Sequence, residues 1–90
     1  MSMPSVTVVH APACHLCVDA REVLDELAQN GLIQTEFVEA DGASGLALVD
    51  AHRPTMFPLV LVDGVFFSQG RLPRRKLAAL LASRSAVSPR

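Results

Sequence analysis

The sequence predicts one α/β domain with the element order β-α-β-α-β-β-α. Three patterns support this prediction: a short β-branched run at residues 5–10, an amphipathic segment that follows it, and two apolar runs joined by Asp63-Gly64. A β-branched run before an amphipathic segment is typical of a strand followed by a helix. Asp-Gly between two apolar runs is the signal of a two-residue type I′ hairpin.

The first half of the chain predicts a strand, a helix and a second strand. Ser5–His10 suits a central strand that is buried on both faces. The helix is predicted from near Cys14 to about Asn30, because apolar side chains recur at three- and four-residue spacing and Gly31 follows as a C-terminal stop. Leu32–Glu39 alternates weakly and fits a second strand, parallel to the first because a helix connects them.

The second half of the chain predicts a helix, a hairpin and a last helix. A short helix is expected over residues 44–52, although Gly45 lowers its intrinsic stability. Residues 58–62 and 65–68 are apolar and should pair as antiparallel strands. A proline at the first turn favours a last helix over residues 73–83, with its leucines facing inward.

The length of 90 residues and the composition limit the class of protein. So short a chain forms a single domain, residues 1–90, for which we expect flexible ends at 1–4 and 85–90. Half of the residues are hydrophobic, yet no apolar run approaches the roughly 18 residues that a membrane span requires, and the N-terminus lacks a secretion signal. We therefore expect a cytoplasmic, monomeric protein that makes no membrane contact.

The net charge of −1 conceals an uneven distribution of charged residues. Residues 1–50 hold eight of the nine acidic residues, whereas residues 51–90 hold seven of the eight basic ones. The simplest interpretation is two solvated helix faces of opposite sign; the alternative is an acidic protein partner that docks on four of the basic residues. Those four are Arg71, Arg74, Arg75 and Lys76. Nucleic-acid binding is not expected, because the chain is nearly neutral and its four aromatic residues are all phenylalanine.

Two cysteines stand three positions apart where the first helix begins. Cys14 would lie at the helix N-terminus, where unpaired N–H groups and the helix dipole favour a thiolate, the reactive form of cysteine. Cys17, one helical turn later, would lie close enough to form a disulfide with Cys14. The pair therefore predicts a dithiol-disulfide switch, in which Cys14 attacks a disulfide and Cys17 expels the substrate from the mixed disulfide.

The C-x-x-C spacing also supplies two ligands to many zinc sites, so spacing alone leaves redox chemistry and metal binding as equal alternatives. A structural zinc site requires about four Cys or His ligands. The chain has two cysteines and three histidines, and a second C-x-x-C is missing. No metal ligand is therefore assigned, and a metal or iron-sulfur-cluster module that uses Cys14 and Cys17 is kept as the alternative function.

The element order, the C-x-x-C that opens the first helix and the proline that opens the third strand together resemble the thioredoxin-fold superfamily. The resemblance covers residues 5–83, and the short length is similar to the glutaredoxin branch. It implies a four-stranded mixed sheet in the order 2-1-3-4, flanked by helices, with the dithiol at the end of the first strand. It also implies that Cys14 is the nucleophile, Cys17 the resolving cysteine and Pro58 the family's cis-proline.

This resemblance implies a thiol-disulfide oxidoreductase that acts on a disulfide-bearing protein or a low-molecular-weight thiol and receives its electrons from a reductase. A cis peptide bond at Phe57-Pro58 would offer the Phe57 N–H and C=O to an extended substrate as an added strand. Gly70 matches the glycine before the last helix, which in glutaredoxins belongs to the cluster that holds glutathione. Phe57, Pro58 and Gly70 are therefore the predicted substrate-binding residues.

Other positions depart from the glutaredoxin pattern. His15-Leu16 replaces the family's Pro-Tyr between the cysteines, Ala11 replaces its lysine, and the acid that follows its glycine is missing. Without these charge partners glutathione is a doubtful co-substrate, and no other cofactor is expected. The C-H-L-C motif is similar to that of small bacterial glutaredoxin-like proteins.

Two histidines flank the first cysteine. His15 is a candidate for tuning the pKa of the Cys14 thiol, because as a cation it would stabilise the thiolate and make the disulfide a stronger oxidant. The alternative for His15 is a solvated loop residue. His10 is expected to pack near the loop rather than to act as a general base. A third function, an inert adaptor that retains the fold, predicts that both thiols react slowly with alkylating agents.

Overall fold

All seven predicted elements are present, in the predicted order, in a computed structural model that describes residues 3–86. The elements are β1 (Ser5–His10), α1 (His15–Gln29), β2 (Gln34–Glu39), α2 (Ala43–His52), β3 (Leu59–Val62), β4 (Val65–Gln69) and α3 (Arg74–Ala86). Helix α3 continues past its predicted end near Ser83 to Ala86. The remaining predicted flexible ends, residues 1–2 and 87–90, lie outside the described residues, and residues 3–4 lead into β1.

The four strands form one mixed sheet in the order β2-β1-β3-β4, as the resemblance implied. β1 pairs in parallel with β2 and antiparallel with β3, which pairs antiparallel with β4. β1 is therefore central. Its Val6, Val8 and Val9 are fully buried, as the β-branched run predicted.

Apolar side chains cover both faces of the sheet, because successive strand residues point to opposite sides. On one face, Val6 and Val8 belong to a buried cluster that includes Leu24 of α1 and Leu77 of α3. On the other face, Val9 belongs to a smaller cluster against which α2 packs. Full burial of a leucine stabilises the fold by roughly 1.5–3 kcal/mol. Helices α1 and α3 are thus anchored on the same side of the sheet, which brings their first turns together.

The hairpin between β3 and β4 has the predicted turn. Asp63 and Gly64 both adopt positive φ, at 51° and 81°, which is the type I′ conformation. The Ser5 N–H donates to Asp63 Oδ1 at 2.9 Å, and the Asp63 N–H donates to the Ser5 carbonyl oxygen at 2.7 Å. A register shift between Val60 and Leu61, which the sequence did not predict, makes the two strands irregular near their middle.

The glycine in α2, which was expected to weaken that helix, has a packing role. Helix α2 contacts β1 and β2. Gly45 is buried, and a Cβ atom at this position would overlap the Glu39 carbonyl oxygen at the end of β2. The absence of a side chain therefore allows the helix to approach the sheet closely. Across residues 3–86, no helix is long and apolar enough to cross a membrane.

Candidate active site

The turn between β1 and α1 places Cys14 at the start of the helix. β1 ends at His10, and Ala13 adopts a left-handed conformation with φ of 52°. A left-handed conformation costs a non-glycine residue about 1–2 kcal/mol, so the surrounding structure must hold this turn in place. Cys14 follows with extended backbone angles and forms the N-cap of α1.

The sulfur atom of Cys14 is the acceptor of this helix cap. The Cys17 N–H lies in the first turn of the helix and has no carbonyl partner within it. It donates to Cys14 Sγ at 3.1 Å. The Val18 N–H donates to the Cys14 carbonyl oxygen at 3.2 Å and closes the first turn. The sulfur therefore lies at the positive end of the helix dipole, as the sequence predicted, where a negative charge is stabilised.

Cys14 and Cys17 form a disulfide across this first turn, which confirms that the two sulfurs are within bonding distance. Their Cα atoms are 5.2 Å apart, an ordinary separation for a disulfide. The two residues differ in exposure. Cys17 is buried, with 7% of its surface accessible, whereas Cys14 is partly exposed. Cys14 is therefore the more accessible of the two cysteines.

Phe57, the residue before Pro58, lies against the disulfide. The peptide bond between them is cis, as predicted. The Phe57 carbonyl oxygen lies 3.8 Å from Cys14 Sγ. A sulfur in a disulfide carries no hydrogen, so this approach is a contact and not a hydrogen bond. Pro58 is buried, and Phe57 is partly exposed beside Cys14.

Gly70 is held next to Pro58. The Gly70 N–H donates to the Pro58 carbonyl oxygen at 3.1 Å, which joins the start of β3 to the end of β4. Gly70 has a φ of 76°, a conformation that favours glycine. Its exposure is limited by Met56, whose Cε would lie 3.0 Å from an added Cβ. The structure therefore places Gly70 close to Pro58 and beneath Met56, and its predicted role in substrate binding stays a prediction.

A pair of residues that the sequence analysis did not select braces this loop. The Thr55 N–H donates to Gln69 Oε1 at 3.0 Å, and Gln69 Nε2 donates to Thr55 Oγ1 at 3.1 Å. Two reciprocal bonds tie the segment before Pro58 to the end of β4. Leu59 pairs with Gln69 only because of the register shift between Val60 and Leu61, so no sequence pattern pointed to this pair.

His15 and His10 differ in exposure. His15 is the first residue of α1 and is exposed, so its effect on the thiolate stays a prediction. His10 is partly buried and lines a cavity of about 190 Å³ that both cysteines also line. Phe37 closes the same cavity, with the Arg21 guanidinium carbon 4.5 Å from its ring centroid. His10 thus packs near the loop, as expected.

A larger groove opens between the first turns of α1 and α3. Its volume is about 530 Å³, and Leu16, Asp19 and Ala20 form the α1 wall while residues 71–76 form the other. We call it the basic groove, because four of the residues on the second wall are cationic. Leu16 lies between the two cysteines in sequence, so the groove reaches the dithiol turn.

Within residues 3–86, no three side chains of His, Cys, Asp or Glu are grouped so as to hold a metal ion. The Cys14–Cys17 pair stands in the disulfide form.

Comparison with known proteins identifies the fold. No protein-family model matches the chain, and no curated protein matches it. Three solved structures illustrate the likeness. A thioredoxin-like protein from Clostridium perfringens is 15% identical, with a TM-score of 0.70 over 90% of this chain and 70% of that one.

The other two structures are thioredoxins. Chloroplastic thioredoxin z is 15% identical, with a TM-score of 0.72 over 93% of this chain and 80% of that one. Thioredoxin O2 from Arabidopsis thaliana, in its oxidised state, is 20% identical, with a TM-score of 0.66 over 91% of this chain and 75% of that one. Likeness at these identities shows a shared architecture, and the chain therefore has a thioredoxin fold.

Proposed function

We propose that the protein is a thiol-disulfide oxidoreductase of the glutaredoxin-like type, with Cys14 as nucleophile and Cys17 as resolving cysteine. One observation carries the proposal: a partly exposed sulfur caps the N-terminus of α1 and is bonded to a buried sulfur one turn later. This asymmetry suits two successive roles, because the reachable sulfur can attack a substrate and the buried one can only react with its neighbour.

The reaction is a transfer of two electrons by thiol-disulfide exchange. The Cys14 thiolate attacks one sulfur of the substrate disulfide, and the other substrate sulfur leaves as a thiolate and takes up a proton. The Cys17 thiolate then attacks Cys14 Sγ, which forms the Cys14–Cys17 disulfide and releases the second substrate sulfur as a thiolate. The substrate is reduced and the protein is oxidised by one disulfide. A reductant restores the dithiol by the same exchange in reverse.

The start of α1 supports the first of these steps. The Cys17 N–H donates to Cys14 Sγ at 3.1 Å, and a donor in this position stabilises the sulfur more when it is negatively charged than when it is neutral. The helix dipole acts in the same direction. Both effects favour Cys14 as the attacking thiolate in the first step.

The Phe57 backbone suits the binding of an extended substrate. Its carbonyl oxygen faces Cys14 Sγ at 3.8 Å, and no hydrogen-bond partner of its N–H is found in the described part of the chain. An extended segment could therefore pair with Phe57 as an added strand, which would hold its disulfide beside Cys14. Pro58 and Gly70, which are hydrogen-bonded to each other, are proposed to support this segment from within the protein.

The proposed partners are a disulfide-bearing protein or low-molecular-weight thiol and a reductase that supplies electrons, with the protein acting as a cytoplasmic monomer and without a resident cofactor. Glutathione is a poor candidate for the electron donor. The position of the glutaredoxin lysine is Ala11, and the residue after Gly70 is Arg71 where glutaredoxins have an acidic cluster. We therefore expect thioredoxin reductase to support the faster turnover.

Reduction of a protein disulfide such as that of insulin tests the proposal. The assay is run with NADPH and either thioredoxin reductase or glutathione with its reductase. Cys14→Ser should reduce turnover to the uncatalysed rate, because the attacking sulfur is lost. Cys17→Ser is the matched control, since it should still attack and should accumulate a mixed disulfide that mass spectrometry detects.

Three outcomes would contradict this function. Absence of turnover with both electron sources would exclude the enzyme, and full activity of Cys14→Ser would exclude the assigned nucleophile. Stoichiometric zinc or iron in the purified protein, lost in both cysteine variants, would favour the metal or iron-sulfur module instead.

A further inference from the structure

We propose that the basic groove binds an acidic segment of the protein whose disulfide is reduced at Cys14. The proposal builds on the function proposed above and specifies the class of its partner. It rests on the charge of the groove, on the position of that charge at the start of α3, and on the reach of the groove to the dithiol turn.

The groove carries four cations and one carboxylate. The cations are Arg71, Arg74, Arg75 and Lys76, and the carboxylate is Asp19 on the α1 wall. No acidic residue follows Asp63 in the sequence, so the segment that forms the cationic wall has no acid of its own. The two ion pairs found within residues 3–86 lie on α1 and at the end of α2, and the arginines of the groove take part in neither.

One of the four cations is already engaged. Lys76 Nζ donates to the Phe67 carbonyl oxygen at 3.4 Å and lies 5.1 Å from the centroid of the Phe67 ring. Arg71, Arg74 and Arg75 are exposed. Their guanidinium groups can each form two parallel bonds to a carboxylate, a geometry that a lysine ammonium does not offer.

The cations occupy the wrong end of α3 for helix stability. The Leu77 N–H donates to the Pro73 carbonyl oxygen at 2.9 Å, so residues 74–76 form the first turn, and this turn contains no acidic residue. Positive charge at a helix N-terminus is opposed by the helix dipole and by unpaired N–H groups. Sequences that break such a local rule commonly do so at functional positions. An anion in the groove would be attracted by the side chains and by the helix end together.

The size and lining of the groove favour a polypeptide as its occupant. The cavity of about 530 Å³ extends from Leu16 along residues 71–76, so a single small anion would contact one or two of the arginines. A peptide segment with several Asp or Glu residues could contact all three and continue toward the dithiol turn. None of the lining residues is aromatic, so the groove offers no stacking surface for nucleic-acid bases.

Direct binding to the oxidised full-length protein provides the first test. The probes are fluorescently labelled peptides of ten glutamates or ten glutamines, and anisotropy is measured at 20 and 200 mM NaCl. The glutamate peptide should bind, more weakly at high salt, and the glutamine peptide should not. The triple variant Arg71→Gln, Arg74→Gln, Arg75→Gln should bind the glutamate peptide roughly tenfold more weakly, as expected for three exposed charge pairs.

Arg53→Gln is the control for loss of a surface charge, because Arg53 lies at the end of α2 and outside the groove. Equal loss of binding in Arg53→Gln and in a single groove variant such as Arg75→Gln would overturn the proposal, as would equal binding of the two peptides. A short single-stranded oligonucleotide that bound more tightly than the glutamate peptide would assign the groove to nucleic acid and would also overturn it.

Catalysis on two matched peptide disulfides provides the second test. The peptides differ only in a flanking segment of four glutamates or four glutamines. The native protein should reduce the glutamate peptide with a kcat/KM roughly tenfold higher, and this ratio should fall close to one in the triple variant but not in Arg53→Gln. A ratio near one for the native protein would overturn the docking proposal while the oxidoreductase stands. Binding of the glutamate peptide without reduction of either disulfide would instead exclude the oxidoreductase.

A stability measurement separates this role from a structural one. If the arginines serve the fold, the triple variant should melt at a lower temperature than the native protein. Because their charge opposes the α3 dipole, docking predicts that the variant melts at the same or a higher temperature while it loses peptide binding.

Discussion

Helix α1 begins with a sulfur atom as its cap, whereas helix α3 begins with three cations in its first turn. Both helix starts face the same region of the surface, since Leu16 and residues 71–76 line one groove. Each start presents the positive end of a helix dipole and unpaired N–H groups. In α1 the Cys17 N–H is already bonded to Cys14 Sγ, at 3.1 Å. In α3 no acidic side chain of the first turn fulfils that role.

Under the two proposals above, the field at a helix start acts in two ways in this molecule. At α1 the helix field acts on an atom of the protein itself and favours the thiolate form of Cys14. At α3 the field and the arginines add to each other and act on whatever anion approaches. The first arrangement supports a reaction, and the second supports recognition of a partner.

The largest loss of stability is expected from truncating the buried leucines that hold both helices against the sheet. Leu24 of α1 and Leu77 of α3 are both at most 1% exposed and belong to the same buried cluster. Leu24→Ala and Leu77→Ala should each lower the free energy of unfolding by about 2–5 kcal/mol, measured by urea denaturation of the oxidised protein. A loss below about 1 kcal/mol for one of them would show that its helix is held in another way.

A smaller loss of stability is expected from alanine substitutions at Gly31, where the chain leaves α1, and at Gly70, shortly before α3. Gly31 and Gly70 both have φ of 76°, but an added Cβ meets nothing within 4 Å at Gly31 and would lie 3.0 Å from Met56 Cε at Gly70. Gly31→Ala should destabilise the protein by about 1 kcal/mol, and Gly70→Ala by about 2 kcal/mol or more.

The same urea series measures both glycine variants. Gly31→Ala serves as the matched control, because it carries the conformational cost without the contact. Equal losses would mean that the Met56 side chain moves aside, and that Gly70 is required for its conformation alone.

Removing positive charge from the start of α3 should instead stabilise the protein. Arg74→Gln and Arg75→Gln should each raise the free energy of unfolding by about 0.3–1 kcal/mol, because each removes a cation from the positive end of a helix. Arg53→Gln is the control, because it removes a cation from a helix C-terminus instead of an N-terminus. Arg53 caps the C-terminus of α2, and its guanidinium nitrogen lies 4.0 Å from Asp50 Oδ1. That variant should be unchanged or slightly less stable. Destabilisation by both α3 variants would remove the electrostatic contrast between the two helix starts.

The smallest effect is expected at the exposed side chain of His15, the first residue of α1. His15→Gln removes a group that can carry a positive charge beside Cys14, so the thiolate is less stabilised and the dithiol becomes more reducing. The shift should be about 5–20 mV toward negative potential, measured by equilibration with glutathione redox buffers. His52→Gln, which changes a histidine at the end of α2, is the control. Equal potentials for the native protein and His15→Gln would exclude the tuning role.

Much of the architecture was predictable because it depends on local sequence. The Asp63-Gly64 turn, the β-branched β1 and the start of α1 at Cys14 each follow from the preferences of a few neighbouring residues. The Cys14–Cys17 pairing was predictable for the same reason, since both residues lie on one helical turn. The order of the strands and the cis peptide bond before Pro58 came from the resemblance to the thioredoxin-fold superfamily, which no local pattern could have replaced.

Other features depend on contacts between residues that are far apart in sequence. The reciprocal bonds between Thr55 and Gln69, and the cover that Met56 provides over Gly70, exist because the β3–β4 hairpin returns the chain to the loop before it. Gly45 was expected to weaken α2, yet the structure uses it for the close approach to Glu39. Propensity describes a residue in its own element and carries no information on what packs against that element.

The sequence by itself determined the elements, the position of the dithiol at a helix start and the separation of acidic and basic residues, because each of these is a property of neighbouring residues. The tertiary structure alone decided that the two cysteines differ in exposure, that Phe57 faces Cys14, and that residues 71–76 share a groove with Leu16. The shared groove arises because α1 and α3 pack on the same face of the sheet. Packing of this kind is set by the whole buried cluster rather than by any single stretch of the chain.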